Sequence, residues 1–263
     1  MNIAIHGTGR AAGALALAFT RAGHTIVSVE GRSSERVVEL CSLIPVSTGF
    51  PDLRVIAVSD DAIAMVAGAI AATGIATDTV HVSGAVAASA LDTIAATGAQ
   101  VGAFHPLQTL PDAVRGAQQL AGSYIGITAD DPLRSTLVDL ASSLGCDSFT
   151  VADDMKPLYH AAAAAAANFT LSSLALAEEL FDAADIPFSV AQPLVDAIVE
   201  NAFALGSQAS LTGPIARGDV KTVRSQIAAL RDNVPGRVDD FAELARLTAR
   251  TAGTRDEFRE LFE

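Results

Sequence analysis

The stretch Asn2-Ile-Ala-Ile-His-Gly-Thr-Gly-Arg-Ala-Ala-Gly-Ala-Leu15 decides how the chain is read. An apolar strand at residues 3–5 turns at Gly7-Thr8-Gly9 and passes straight into a helix of small residues at 11–21. Strand, glycine turn and helix, in that order, open a βαβ unit of the kind that binds dinucleotides. Gly7 permits the tight turn. Gly9 leaves room for a pyrophosphate to approach the backbone, and the free N–H groups and dipole at the helix start favour that anion. Gly7, Thr8, Gly9, Arg10 and Ala11 are therefore the candidate pyrophosphate contacts. Ala12 stands where such motifs carry a third glycine, a position that asks only for a small residue. The plain alternative is a strand–turn–helix that holds no ligand.

A second strand is expected at 25–29, followed by Glu30-Gly-Arg-Ser-Ser34. Glu30 is placed to hold ribose hydroxyls, as in NAD sites. Arg32, Ser33 and Ser34 suit a 2′-phosphate better, because arginine offers a planar fork of donors and serine its hydroxyl. NADP is accordingly preferred over NAD, which stays open. Ser33 or Ser34 also fits as the N-cap of a helix through 37–41.

The chain has 263 residues, half of them hydrophobic and 18% charged, so it can build one large or two ordinary domains with a substantial core. Its net charge of −13 argues against general binding to nucleic acid or anionic membranes, since phosphate contacts need Lys and Arg. The longest apolar tract, 161–167, is all alanine and too short to span a bilayer. No charged segment precedes an apolar one at the start, so a cytoplasmic location is expected. Cys41 and Cys146 form no metal or redox spacing, and no metal site is expected.

Further strands are expected at 44–46, 53–58, 79–82, 101–104, 124–127 and 149–151, with helices at 63–72 and 132–144. Strands alternating with helices imply a largely parallel sheet covered on both faces. Ligands lie beyond the carboxyl ends of such strands. That address singles out Ser59 and Asp60 after one strand, Ser83 after the next and His105 after the one following. Asp60 or Asp61 serves equally as a helix cap, and His105 as a structural loop histidine. Beyond 152 no strand is expected: helices at 155–181, 190–205, 220–231 and 238–251 imply a nucleotide-binding domain at 1–152 and an all-helical domain at 153–263.

The helix at 155–181 carries Lys156 and His160, four residues apart and so on one face, with Asn168 two turns on. Lysine can polarise a carbonyl, histidine can deliver a proton near neutral pH, and asparagine can orient an oxygen. The bland reading is a solvated lysine, a partly buried histidine and an alanine helix contact. In the glycine–proline loop at 210–219, Thr212 and Arg217 are candidate substrate contacts, Arg217 as a clamp for a carboxylate or phosphate or else a surface charge.

Five segments carry a family resemblance: Gly7-Thr-Gly-Arg-Ala-Ala12, His81-Val-Ser-Gly-Ala85, Gly102-Ala-Phe-His-Pro-Leu107, Lys156-Pro-Leu-Tyr-His-Ala161 with Asn168, and Leu211-Thr-Gly-Pro-Ile-Ala-Arg-Gly-Asp219. Together and in this order they resemble a bacterial family that joins a Rossmann-like domain to a C-terminal helical domain of unknown function. The architecture is similar to that of pyrroline-5-carboxylate reductase, ketopantoate reductase and the 6-phosphogluconate dehydrogenase group. The resemblance implies NADP in the first domain, substrate in the cleft between domains, and a homodimer formed through a 6-phosphogluconate dehydrogenase C-terminal-like helical domain. Some members resemble an alternative class of ketopantoate reductase. In the hydroxyacid dehydrogenase relatives a lysine and an asparagine share one helix turn, whereas here His160 stands between Lys156 and Asn168.

The expected function is NADP-dependent reduction of a small ketone or imine bearing a carboxylate, with Lys156, His160 and Asn168 as catalytic groups and ketopantoate as a named candidate. A dinucleotide sensor without turnover, or a deazaflavin-linked NADP oxidoreductase, are the alternatives.

Overall fold

The computed structural model describes residues 1–262 and divides into two compact units, Met1–Ala165 and Ala166–Glu263. The first unit is an α/β sheet with strand order β2-β1-β3-β4-β5-β6-β7. The strands are β1 Asn2–His6, β2 Thr25–Glu30, β3 Leu53–Ile56, β4 Thr79–His81, β5 Val101–Leu107, β6 Tyr124–Thr128 and β7 Asp147–Thr150. Helices α1 Arg10–Arg21, α2 Ser34–Leu43, α3 Ile63–Ala71, α4 Asp92–Ala95, α5 Ala113–Gln119 and α6 Leu133–Ser143 connect them.

Alternation along the strands divides the core. Ile3, Ile5, Leu53 and Val55 point with Leu15 and Phe19 of α1 into one buried layer. Ile56 faces the other way, against Ile63 and Ile70 of α3 and Leu91 and Ile94. Burial of each such side chain stabilises the unit by about 1.5–3 kcal/mol. Small residues let α1 and α5 approach closely: a Cβ on Gly13 would lie 2.9 Å from Ala113 Cβ, and one on Gly116 2.8 Å from Ala14 Cβ.

The expected strand at 44–46 is not formed. Instead Val46 makes an isolated parallel bridge to Ile26. The sheet is largely parallel, as expected, but β6 pairs antiparallel with β5. The chain leaves β5 at Leu107 and, after the short helix α5, starts β6 at Tyr124, which pairs with Leu107. The chain therefore re-enters the sheet from the edge at which it left.

His105 was expected to follow a strand but lies within β5, paired with Gly126. The residue before a proline favours extended backbone, so His105-Pro106 continues the strand. Pairing of β5 with β4 stops at Ala103, and Pro106 sits where that edge is free, as a residue without an N–H requires.

The first unit extends past the expected boundary at 152 to include α7, Lys156–Ala164. Asp153 Oδ1 accepts from Ala88 N at 2.7 Å, tying the start of the helix to the segment after β4.

The second unit has no strand among the described residues. Its helices are α8 Thr170–Ala183, α9 Gln192–Leu205, α10 Ser207–Ser210, α11 Gly213–Ala216, α12 Val220–Asn233, α13 Val238–Ala252 and α14 Arg259–Phe262. Val223, Ile227 and Ala249 form its buried centre with Phe258. Asp219 caps α12 by accepting from Thr222 N at 3.1 Å. Among the described residues no helix is long and apolar enough to cross a membrane.

The helix expected to run unbroken over 155–181 is interrupted by a π-helical turn at Ala165–Phe169. A π turn is wider than an α turn, so straight-helix phasing ends at Ala164. Lys156 and His160 belong to the first unit and Asn168 to the second.

Candidate functional site

The glycine turn has the properties that its sequence implied. Gly7 adopts φ +134°, and a Cβ there would lie 2.1 Å from Ala57 O, so both conformation and space require glycine. At Gly9 a Cβ would meet nothing within 4 Å. The space in front of that backbone is open, and a side chain would fill it. Gly9 caps α1 with extended backbone and no side-chain hydrogen bond, leaving the first N–H groups of a twelve-residue helix free for an anion. A Cβ on Gly31 would come within 2.7 Å of Thr8 Cγ2, so the turn after β2 packs directly on the glycine turn. These features fit the pyrophosphate of a dinucleotide.

A cavity of about 790 Å³ adjoins this turn, lined by Gly7, Glu30, Gly31, Arg32 and Ser34 together with residues of α2 and α3. Arg32 and Ser34 are exposed there, as a 2′-phosphate contact needs. Ser33 is the N-cap of α2 and accepts from Arg36 N at 3.3 Å. Its side chain thus fills the capping role that the sequence left open.

The ends of β4 and β5 hold a second group of residues. His81 is fully buried. Its Nδ1 accepts from Ser83 N at 3.2 Å, which places the ring hydrogen on Nε2, 3.3 Å from Ala87 O. Burial, and then the Lys156 charge, push its pKa down to about 4, so the ring is a neutral brace for the turn. Ser83 Oγ accepts from Ala85 N at 3.1 Å and from Val86 N at 3.0 Å. Lys156, only 1% exposed, donates from Nζ to Ser83 O at 3.0 Å. Burial lowers its pKa, with Asp153 and Asp60 opposing. Ser83 and Lys156 thus hold the segment 83–86 in place, whereas the sequence suggests that both face a ligand.

Beside them Gly84 lies against two imidazoles. A Cβ there would sit 2.8 Å from His105 Cε1 and Nε2 and 2.8 Å from His160 Cδ2. The two rings meet edge to face with centroids 6.1 Å apart. His105 Nδ1 lies 2.7 Å from the Tyr159 hydroxyl. Burial, then the charges of His160 and Lys156, push the His105 pKa down to about 4, and burial raises that of Tyr159 to about 12. Both are therefore neutral near pH 7 and share one hydrogen bond. His160 is exposed. Ser59 and Asp60 are exposed on the short turn after β3, and neither side chain caps it. Asp60 is near enough for its charge to act on His81, His105 and Lys156.

The sequence reading missed Tyr159. Its signal was Gly126, a glycine inside the apolar strand Tyr124–Thr128, which marks a close approach. A Cβ on Gly126 would lie 3.1 Å from the Tyr159 hydroxyl. Thr212 and Arg217 are exposed on the second unit, Thr212 just before α11 and Arg217 just after it.

Residues 123–249 match a family model described as a domain of unknown function, DUF2520. No curated protein sequence matches the chain. Among solved structures, a Bacteroides fragilis protein provisionally designated an NADP oxidoreductase is 25% identical, with 95% of this chain and 98% of that one covered and a TM-score of 0.82. An imine reductase from Myxococcus stipitatus in complex with NADP+ is 16% identical over 95% of this chain and 94% of its own, with a TM-score of 0.69. A reductive aminase from Aspergillus terreus, in complex with NADPH and ethyl-5-oxohexanoate, is 15% identical over 98% and 99%, with a TM-score of 0.67. The last two likenesses are of fold. The chain has a Rossmann-like oxidoreductase fold, an α/β domain followed by an all-helical one.

Proposed function

We propose that the protein is an NADP-dependent reductase of a small ketone or imine that bears a carboxylate. One observation carries this reading: a single edge of the parallel strands holds both an anion cradle, at Gly7–Arg10, and a cluster of proton-carrying side chains around Gly84. Gly9, Arg10 and Ala11 offer backbone donors to the pyrophosphate, and Arg32 with Ser34 offers a charged fork and a hydroxyl to a 2′-phosphate. A nicotinamide dinucleotide held by these residues would supply the hydride that such a reduction needs. The similarity to NADP-linked oxidoreductases supports the same cofactor.

In this reading His160, the exposed imidazole of the cluster, delivers the proton to the substrate atom that gains charge. His105 and Tyr159 stand beside it as a neutral hydrogen-bonded pair that fixes the His105 ring. Lys156 is a positioning residue: its buried amine holds Ser83 O and so sets where Gly84 lies. Asn168, Thr212 and Arg217 are the further candidates for the polar ends of the substrate, Arg217 for a carboxylate. Ketopantoate and cyclic imino acids are the first substrates to try, and a homodimer formed through the helical unit is the assembly we infer.

The test is acceptor-dependent oxidation of NADPH by the purified protein with keto acids, cyclic imines and, separately, an oxidised deazaflavin. Turnover with a keto acid or imine, lowered about a hundredfold or more in His160→Ala with NADPH affinity kept, is the expected result. NADPH binding without turnover on any acceptor would favour a sensor. Turnover on the deazaflavin alone would favour the deazaflavin-linked reading.

A further inference from the structure

Arg54 is a cation in the wrong company. Its strand neighbours alternate: Leu53 and Val55 enter the core under α1, while Arg54 and Ile56 face α3. The α3 side is lined by Ile63, Ala67 and Ile70, yet Arg54 is only 9% exposed there and its Nε is buried without a hydrogen-bond partner. Among the described residues it makes no ion pair. A guanidinium cannot shed its proton, and a buried charge with no partner is costly.

His6 lies on the same face of the sheet, since Ala4 pairs with Arg54 and His6 with Ile56. It is 4% exposed, and its Nε2 is likewise buried without a partner. Its Nδ1 is 3.4 Å from the Glu30 carboxylate. That carboxylate favours the ring hydrogen on Nδ1 and leaves Nε2 as an acceptor. Both side chains line the 790 Å³ cavity, deeper in the sheet than Arg32 and Ser34, with Val66 and Ile70 as apolar walls. The cavity thus has a floor with a forked cationic donor and a lone-pair acceptor, both unmet.

We propose that this floor is a subsite for an oxyanion that bears or adjoins a hydroxyl, the Arg54 guanidinium holding the oxyanion and His6 Nε2 accepting from the hydroxyl. Two sources carry that chemistry. One is the 2′-phosphate of an NADP-type cofactor, next to its 3′-hydroxyl. The other is a free hydrogen phosphate bound independently of any nucleotide. The second source does not depend on the reductase reading.

Calorimetric titration of the full chain with 2′,5′-ADP, 5′-ADP and inorganic phosphate tests this, with Arg54→Met, Arg54→Lys and Arg32→Ala alongside. Methionine has a similar volume and no charge, and such replacements of buried ions are often tolerated. Should Arg54→Met not fold, Arg54→Lys keeps the charge and loses the fork. Expected is a loss of about tenfold or more in affinity for the oxyanion ligand in Arg54→Met, a smaller loss in Arg54→Lys, and unchanged 5′-ADP binding. Loss confined to 2′,5′-ADP assigns the subsite to the cofactor. Phosphate that binds with NADPH already present, and is lost in Arg54→Met, assigns it to a free anion. Equal binding by wild type and both Arg54 variants, or no binding of either oxyanion ligand by wild type, overturns the proposal. A chain that binds phosphate through Arg54 but never oxidises NADPH refutes the reductase and leaves the subsite standing.

Discussion

Gly7 and Gly84 close the two halves of one sheet edge in different ways. At Gly7 the chain meets its own backbone: a Cβ would strike Ala57 O at 2.1 Å, and φ is +134°. At Gly84 it meets side chains, two imidazoles brought from β5 and α7, each 2.8 Å from the same imagined atom. The first contact builds the fold and the anion cradle together. The second leaves the fold alone and sets the spacing of the two rings. Damage at Gly7 should therefore unfold the unit, whereas damage at Gly84 should spare binding and stop chemistry.

The largest effect is expected at Gly7. Gly7→Ala combines backbone strain with a clash against a carbonyl that cannot move aside, and should cost about 3 kcal/mol or more. Urea unfolding measures it, and a loss under about 1 kcal/mol would mean that the turn tolerates a side chain. Next comes Gly84→Ala. Both rings must shift, so turnover should fall by about a hundredfold, on the scale set by small misplacements of reacting groups, while NADPH affinity changes less than about threefold. Parallel loss of binding and turnover would erase the distinction between the two glycines.

A pH series gives a third, smaller effect. His81 and His105 have pKa values of about 4 in the folded protein against 6.5 when free. Between those values the unfolded chain binds more protons than the folded one. The stability from these neutral rings is thus fully present above pH 6.5 and is lost as pH falls towards 4. His105→Gln should flatten part of that slope in urea unfolding at stepped pH. A slope equal to wild type would show that His105 is not held neutral by the fold. The smallest effect is at Ser33, whose hydroxyl oxygen caps α2. Ser33→Ala should cost about 1 kcal/mol and lower 2′,5′-ADP affinity by less than about threefold. A loss as large as that of Arg32→Ala would make the serine a ligand contact.

The two glycines also differ in how far they were legible in the sequence. Gly7 sits in a local pattern, strand then turn then helix, in which the backbone does the work. The pattern therefore names its residues directly. The neighbours of Gly84 come from residues 105 and 160, and no local period joins them. His105 was singled out by its place near a strand end and His160 by its spacing from Lys156, but nothing in the sequence said that they meet. Lys156 was read as facing a ligand because four-residue spacing put it on the face of His160. Spacing reports phase around a helix, not depth, and the structure buries its amine against Ser83 O. The alanine run hid the π turn, since uniform small side chains leave no periodicity to read. Arg54 escaped notice for the converse reason: one charge inside Leu53–Ile56 looks like a strand edge until the strand is found in the middle of the sheet.

The most direct test of the account is titration of the purified protein with NADPH and NADH, followed by nicotinamide fluorescence, in wild type, Gly84→Ala and Arg32→Ala. The account predicts that wild type and Gly84→Ala bind NADPH alike and both prefer it to NADH, and that Arg32→Ala loses about tenfold of that preference. Failure of wild type to bind either nucleotide would contradict it, leaving the glycine turn as architecture alone.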